Sequence, residues 1–175
     1  MQFFPATSVR LGSGSSAGPF ADALRVDLAY VRALEADRLL APFLHEAGLT
    51  PRAPAYGSWE GEGLGGQTGG HYLSALSHLW AATGEDDLRE RLDYALGELV
   101  RAQAARGTGY VGGVPGGAAL FAALATEGVA AARAFGESPN WVPWYNLHKT
   151  FQGLIDAHLV AGDAGALGML SLIHI

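Results

Sequence analysis

Two short stretches of this chain gather side chains that could hold a polar ligand. The first is Trp141-Val-Pro-Trp-Tyr-Asn-Leu-His-Lys149, which sets two indoles, a phenol, an amide, an imidazole and an ammonium around one proline. Flat rings with a few polar tips suit a pocket for a small polar ligand. The second is Gly69-Gly-His-Tyr-Leu-Ser-Ala75, where His71 follows two glycines whose bare backbone lets a ligand come close. His148 and Gln152 are four apart, so one helical face can offer a donor and an acceptor together. The same rings would also make a core cluster at a helix entry, because aromatic residues dominate cores generally.

Other chemistries find less support. Gly61-Glu-Gly-Leu-Gly-Gly66 has the GxGxxG spacing, but Pro54 to Trp59 before it does not read as a buried strand. Glu62 would also repel a pyrophosphate. His71 and His78 are seven apart on one face, yet no HExxH occurs. His78 reads as a core or rim histidine and His158 as a partly exposed structural one. Glu60, next to Trp59, can act as an acid or base, but glycosidic chemistry needs a second carboxyl or another nucleophile facing it. No GxSxG turn is present to activate a serine.

Helices must position these groups. Pro143 disfavours helical angles at Val142 and suits a first helical turn, so a helix is predicted from about Trp144 to Ala161. Leu147, Phe151, Leu154 and Leu159 form its core face. His71 falls in the first turn of a helix from about Gly70 to Thr83, apolar nearly all round and ended by Gly84. Glu85-Asp-Asp87 then opens a half-solvated helix that buries Leu88, Leu92, Leu96, Leu99 and Val100. Upstream, Leu24, Leu28 and Val31 mark a helix from Phe20. A short one follows with Asp37 as N-cap, bent or shortened by Pro42 and ended before Gly48. Residues 50–70 and 107–117 are glycine-rich loops. Leu120 to Phe135 is Ala-rich and helical in pattern, its second half weakened by Gly128. Residues 1–19 read as an extended lead-in. No long strand alternation appears, so the fold class is all-α, as a helical-hairpin array or toroid.

Composition narrows the function classes. The chain has 175 residues, of which 49% are hydrophobic and 16% charged, which suits one domain with a real core. A formal net charge of −6 and the absence of a basic run exclude a nucleic-acid surface. No apolar run is long enough to cross a membrane. The first residues show no basic region followed by an apolar one, so localisation stays open. There is no Cys. Residues 170–175, Leu-Ser-Leu-Ile-His-Ile, carry no helix cap and equal the translation of a common transposase adapter used in sequencing libraries. They are read as a non-native tail on a chain truncated near Met169.

Three blocks, in order, carry a family resemblance. They are Tyr56-Gly-Ser-Trp-Glu60 running into Thr68-Gly-Gly-His-Tyr-Leu-Ser-Ala75, then Ala81-Ala-Thr-Gly84 through Arg91-Leu-Asp-Tyr94 to Gly109-Tyr-Val-Gly-Gly-Val-Pro115, then Trp141 to Lys149. Together with Gly18-Pro-Phe20 and Asp37-Arg-Leu-Leu-Ala-Pro-Phe43, they resemble the catalytic domain of β-L-arabinofuranosidase-like glycoside hydrolases, family 127 and its relatives. The resemblance covers nearly all of residues 9–169. It implies that residues 20–169 are the N-terminal part of an (α/α)6 barrel, and that the full protein hydrolyses terminal L-arabinofuranosides with retention. It also implies zinc, a zinc-bound Cys nucleophile and a Glu acid/base, all downstream of this chain, so that no catalytic residue and no metal ligand is expected within it. His71 and His148 match the family's pocket histidines, and Gln67, Trp59, Trp144 and Tyr145 join them as expected substrate contacts. Relatives commonly have His where Gln67 stands and Gln near Leu24, which bears on sugar specificity. The partner implied is an arabinose-containing glycan. Alternative readings are a non-catalytic helical carbohydrate-binding protein and a helical-toroid epimerase or lyase.

Overall fold

The computed structural model describes residues 4–8, 18–128, 131 and 142–173, and all regular elements among them are helical. After a 3-10 turn at Ala6–Ser8 come α1 (Pro19–Ala33), α2 (Ala36–Glu46), a second 3-10 turn (Ser58–Gly61), α3 (Gln67–Thr83), α4 (Asp86–Arg106), α5 (Gly117–Glu127), α6 (Pro143–Leu159) and α7 (Ala164–Leu172). Fold class is therefore all-α.

Local chemistry sets most boundaries. Pro19 and Pro143 occupy the first turns of α1 and α6, where a missing N–H costs nothing. α3 and α4 end on Gly84 and Gly107, at φ +73 and +72, conformations that favour glycine. Asp86 and Asp87 sit at the positive end of α4. α2 differs from expectation. Glu35 takes the N-cap, Asp37 lies in the first turn, and the helix runs through Pro42 to Glu46. The Asp37 carboxylate accepts instead from the Tyr94 hydroxyl of α4. α5 stops at Glu127, short of Phe135, and residues 132–141, Trp141 included, lie outside the described residues. α7 passes Met169 without a break and reaches Leu172.

The helices pack as hairpins set side by side. α3 and α6 run in the same sense: Gly65 pairs with Asn146 at one end and His78 faces Asp156 further along. α4 turns back from α3 at Gly84, and α7 turns back from α6 at Gly162. α2, α4 and α7 share the opposite sense. Asp37 bonds Tyr94 and the Glu46 carbonyl bonds Arg106; Arg89 bonds Asp163 and Gln103 bonds the Met169 carbonyl. Parallel helices in one row, with their return helices in a second, are the arrangement of a helical-toroid segment. Leu39, Phe43, Leu73, Leu76, Leu92 and Leu154 fill the space between the rows.

Three expectations about helix faces change. Val100 is 46% exposed and does not share the buried face of Leu88, Leu92, Leu96 and Leu99 on α4. Leu159 is 73% exposed and adds nothing to the core face of α6, whereas Leu147 and Leu154 are buried. α3 is not covered all round: His71 and His78 are exposed, and Gln67, Ser74 and Ala75 are partly so, along one stripe.

Candidate functional site

The site grows from a meeting of the two glycine-rich loops. A Cβ on Gly65 would lie 2.7 Å from the Gly113 carbonyl oxygen, and one on Gly113 would lie 2.7 Å from that of Gly65. Backbone therefore touches backbone, and only glycine fits. Gly66 has φ +89 and is the N-cap of α3, so this helix begins with no side chain of its own to cap it.

Glu60 supplies that cap from six residues upstream. Its Oε2 accepts from the Gly66 N–H at 2.8 Å and its Oε1 from the Thr68 N–H at 2.7 Å. A carboxylate at the positive end of a helix, holding two N–H groups, is well placed electrostatically. The preceding carbonyl is held from the other side, since Asn146 of α6 donates through Nδ2 to Gly65 O at 2.8 Å. Gly65 C=O and Gly66 N–H belong to one peptide unit. Two side chains thus fix the plane from which Gln67 and His71 are carried.

α3 and α6 then approach closely. A Cβ on Gly70 would lie 2.7 Å from the Thr150 amide nitrogen, and one on Gly153 would lie 2.5 Å from Gly70 O. His71 follows Gly70 and His148 precedes Lys149, so the two histidines flank the crossing, and both are exposed. Partial desolvation of its ring, first, and then the Lys149 charge push the His71 imidazole below its usual range. Glu60 opposes this and His148 adds to it. Four groups from the turn, α3 and α6 therefore share one electrostatic neighbourhood, with His71 neutral at pH 7. A neutral imidazole offers one donor and one acceptor, as sugar hydroxyls require.

Around this pair the rings are spread out. Trp144 is 52% exposed and sets its ring edge-on to Phe121, with centroids 4.9 Å apart. Tyr145 is exposed, with Lys149 Nζ 4.6 Å from its ring centroid. Gln67 is half-buried, and its Oε1 has no hydrogen-bond partner among the described residues, like Asn146 Oδ1 and Thr150 Oγ1 across the crossing. Trp59 is 69% exposed and lines a separate hollow of about 300 Å3 with Tyr30, Tyr56 and Thr68. Glu60 lines that hollow and also an apolar groove of about 520 Å3, bounded by Pro42, Pro54 and Pro115, which contains neither His71 nor His148. The larger groove is thus not where the histidines stand. The geometry of the α3–α6 crossing, with its polar groups, is the better guide to a site.

The structure does not assemble every group the sequence points to. Gln152 donates to Asp156 at 2.9 Å and does not pair with His148. His78 stands at the rim, 3.7 Å from Asp156, and His158 contacts the Asp163 carbonyl at 3.0 Å. Glu60, read as an acid or base, has both oxygens engaged by backbone N–H groups. Asn146 and Lys149 lie within the aromatic stretch and Thr150 directly follows it, but only their packing against Gly65 and Gly70 reveals what they do. Among the described residues no three His, Asp or Glu side chains converge on a metal position, and the chain has no Cys. The described residues do not fit a zinc centre.

Residues 8–173 match the family model described as β-L-arabinofuranosidase, GH127 catalytic domain. No curated protein matches the chain.

Proposed function

Since this chain belongs to the β-L-arabinofuranosidase GH127 catalytic-domain family, a family of glycoside hydrolases, we propose that it forms a sugar-binding wall of an enzyme that releases terminal L-arabinofuranosides. The observation that carries this reading is the pairing of exposed His71 and His148 at the α3–α6 crossing, next to Lys149. Neutral His71 would exchange hydrogen bonds with a ring hydroxyl, and His148 would hold another. Trp144 and Tyr145 would offer ring faces to the C–H side of a furanose. Gln67 and Trp59 would bound the substrate on the α3 side.

The bond-breaking groups belong to the same proposal but not to these residues. Retaining hydrolysis needs an acid/base and a nucleophile on opposite sides of the anomeric carbon. Glu60 is committed to the α3 cap, and the chain offers no thiol. The Glu acid/base and the zinc-bound Cys nucleophile are proposed to come from outside these 175 residues, which alone would bind sugar without cleaving it.

Release of arabinose from a terminal arabinofuranoside tests the proposal. A full-length protein carrying this domain should release it with retention, and His71→Ala and His148→Ala should each lower turnover or affinity. Wild-type kinetics in both variants would remove the histidines from the site. Arabinose released by the 175-residue chain alone would overturn the division of labour.

A further inference from the structure

Among the described residues, Glu60 is the acidic side chain whose charge acts on His71, and it does not face solvent freely. The turn Ser58–Gly61 folds it back onto α3, starting from Ser58 at φ +59, the one non-glycine residue with positive φ among those described. Holding a serine there costs roughly 1 kcal/mol. What that geometry secures is the pair of bonds to Gly66 and Thr68. Asn146 holds the other side of the same peptide unit, so the start of α3 is tied both to the turn and to α6. His71 stands just over one turn further on, and Gln67 is the residue immediately after the gripped peptide.

We propose that Glu60 is a positioning residue for the sugar site, setting through the first turn of α3 where Gln67 and His71 stand relative to His148. This rests on the sugar-binding reading above. Glu60 acts by geometry through its two backbone bonds and by charge on the imidazole. The charged and titratable groups that face His71 are Glu60 from the turn and Lys149 and His148 from α6. Glu60 is the one that favours the protonated form. Without it, the first turn of α3 loses the two bonds that cap it, and the imidazole loses the charge that offsets Lys149.

Glu60→Gln, nearly isosteric and uncharged, is the test, with Glu60→Asp beside it. Both are made in the full chain and checked for helix content by circular dichroism. In Glu60→Gln, amide exchange at Gly66 and Thr68 should quicken several-fold, and the His71 titration followed by NMR should move to lower pH while that of His158 stays. Affinity for an arabinofuranoside oligosaccharide should fall about tenfold, the scale of a small misplacement of a binding group. Glu60→Asp keeps the charge on a shorter arm, so its His71 titration should stay near wild type while amide exchange still quickens. Unchanged exchange and an unmoved His71 titration in folded Glu60→Gln would overturn the proposal. If the unaltered chain binds no arabinofuranoside, the sugar reading fails, and the exchange and titration results still decide the role of Glu60.

Discussion

Glu60 and Asn146 hold opposite sides of a single peptide unit, the one joining Gly65 to Gly66, although 86 positions separate them in the chain. One accepts from its N–H and the other donates to its C=O. A peptide gripped at both polar ends cannot rotate without breaking a bond on one side. α3 is therefore registered against α6 at its first residue. The crossing at Gly70 and Thr150 extends that registration by a turn, and the two histidines inherit it.

Removing the grip from the α6 side should be costly. Asn146 is fully buried, and Asn146→Ala leaves the Gly65 carbonyl without its partner, for a loss of about 1–3 kcal/mol. Asn146→Asp should be worse at pH 7, because it buries a carboxylate against a carbonyl oxygen. Urea unfolding ranks the three proteins. An aspartate variant as stable as wild type would show that the bond does not hold α3 in place.

His71 should titrate below the ordinary histidine value of 6.5, chiefly through partial desolvation and secondly through Lys149. Its neutral form is the one the fold favours. The stability linked to it is then complete above about pH 6.5 and is lost as pH falls through the lowered value. Lys149→Met should move the titration part of the way back up, since the desolvation remains. Sugar affinity should be flat above pH 6.5 and fall in acid, earlier in Lys149→Met than in wild type. An NMR titration of His71 unmoved by Lys149→Met would separate the two side chains.

The helices themselves were open to reading from sequence because their signals are local. Leu88, Leu92, Leu96 and Leu99 recur at helical spacing and are all buried, and Gly84 ends α3 as its conformational freedom predicts. What was not legible depends on distant partners. The start of α3 lies three residues before Gly70, because Glu60 caps it from an unusual turn and the cap position holds a glycine. Leu159 fits the apolar spacing of α6 but is its last residue and stands 73% exposed, since spacing alone does not say where a neighbouring helix ends. His71 and His148 were recognisable as candidates from their glycine and aromatic surroundings. That they flank one helix crossing follows from Gly70 and Gly153, where the missing side chains admit the neighbouring backbone, a use that Gly70, read as room for a ligand, did not disclose.

Away from the site, Glu98 should govern part of the acid stability. It is buried on α4, and the bond from Arg101, with the charge of Arg52, holds its carboxyl below the ordinary value of 4.5. A depressed carboxyl stabilises the fold above its unfolded value, and that stability is lost as pH falls through the folded one. Glu98→Gln should cost about 1 kcal/mol at pH 7, modest because both arginines are largely solvated. Its stability should also depend less on pH below 4.5. Thermal unfolding at pH 7 and pH 3.5 measures both, and equal losses at the two values would exclude the linkage.

Two glycines in helix interiors should respond oppositely to the same substitution. Gly97 of α4 has nothing within 4 Å of an added Cβ, so Gly97→Ala gains helix propensity alone and should stabilise by about 0.5–1 kcal/mol. Gly70 of α3 gains the same propensity, but its Cβ would fall on the Lys149–Thr150 backbone, 2.7 Å from the Thr150 nitrogen. Backbone cannot turn aside as a side chain does, so α3 and α6 must move apart. The strain, about 1–3 kcal/mol, outweighs the propensity gain. Separation would also draw His71 away from His148, so Gly70→Ala should lose sugar affinity while Gly97→Ala keeps it. Denaturant midpoints and arabinofuranoside binding for the two variants give four readings. If Gly70→Ala proves as stable as Gly97→Ala and binds as well, the close crossing is not what sets the spacing of the two histidines.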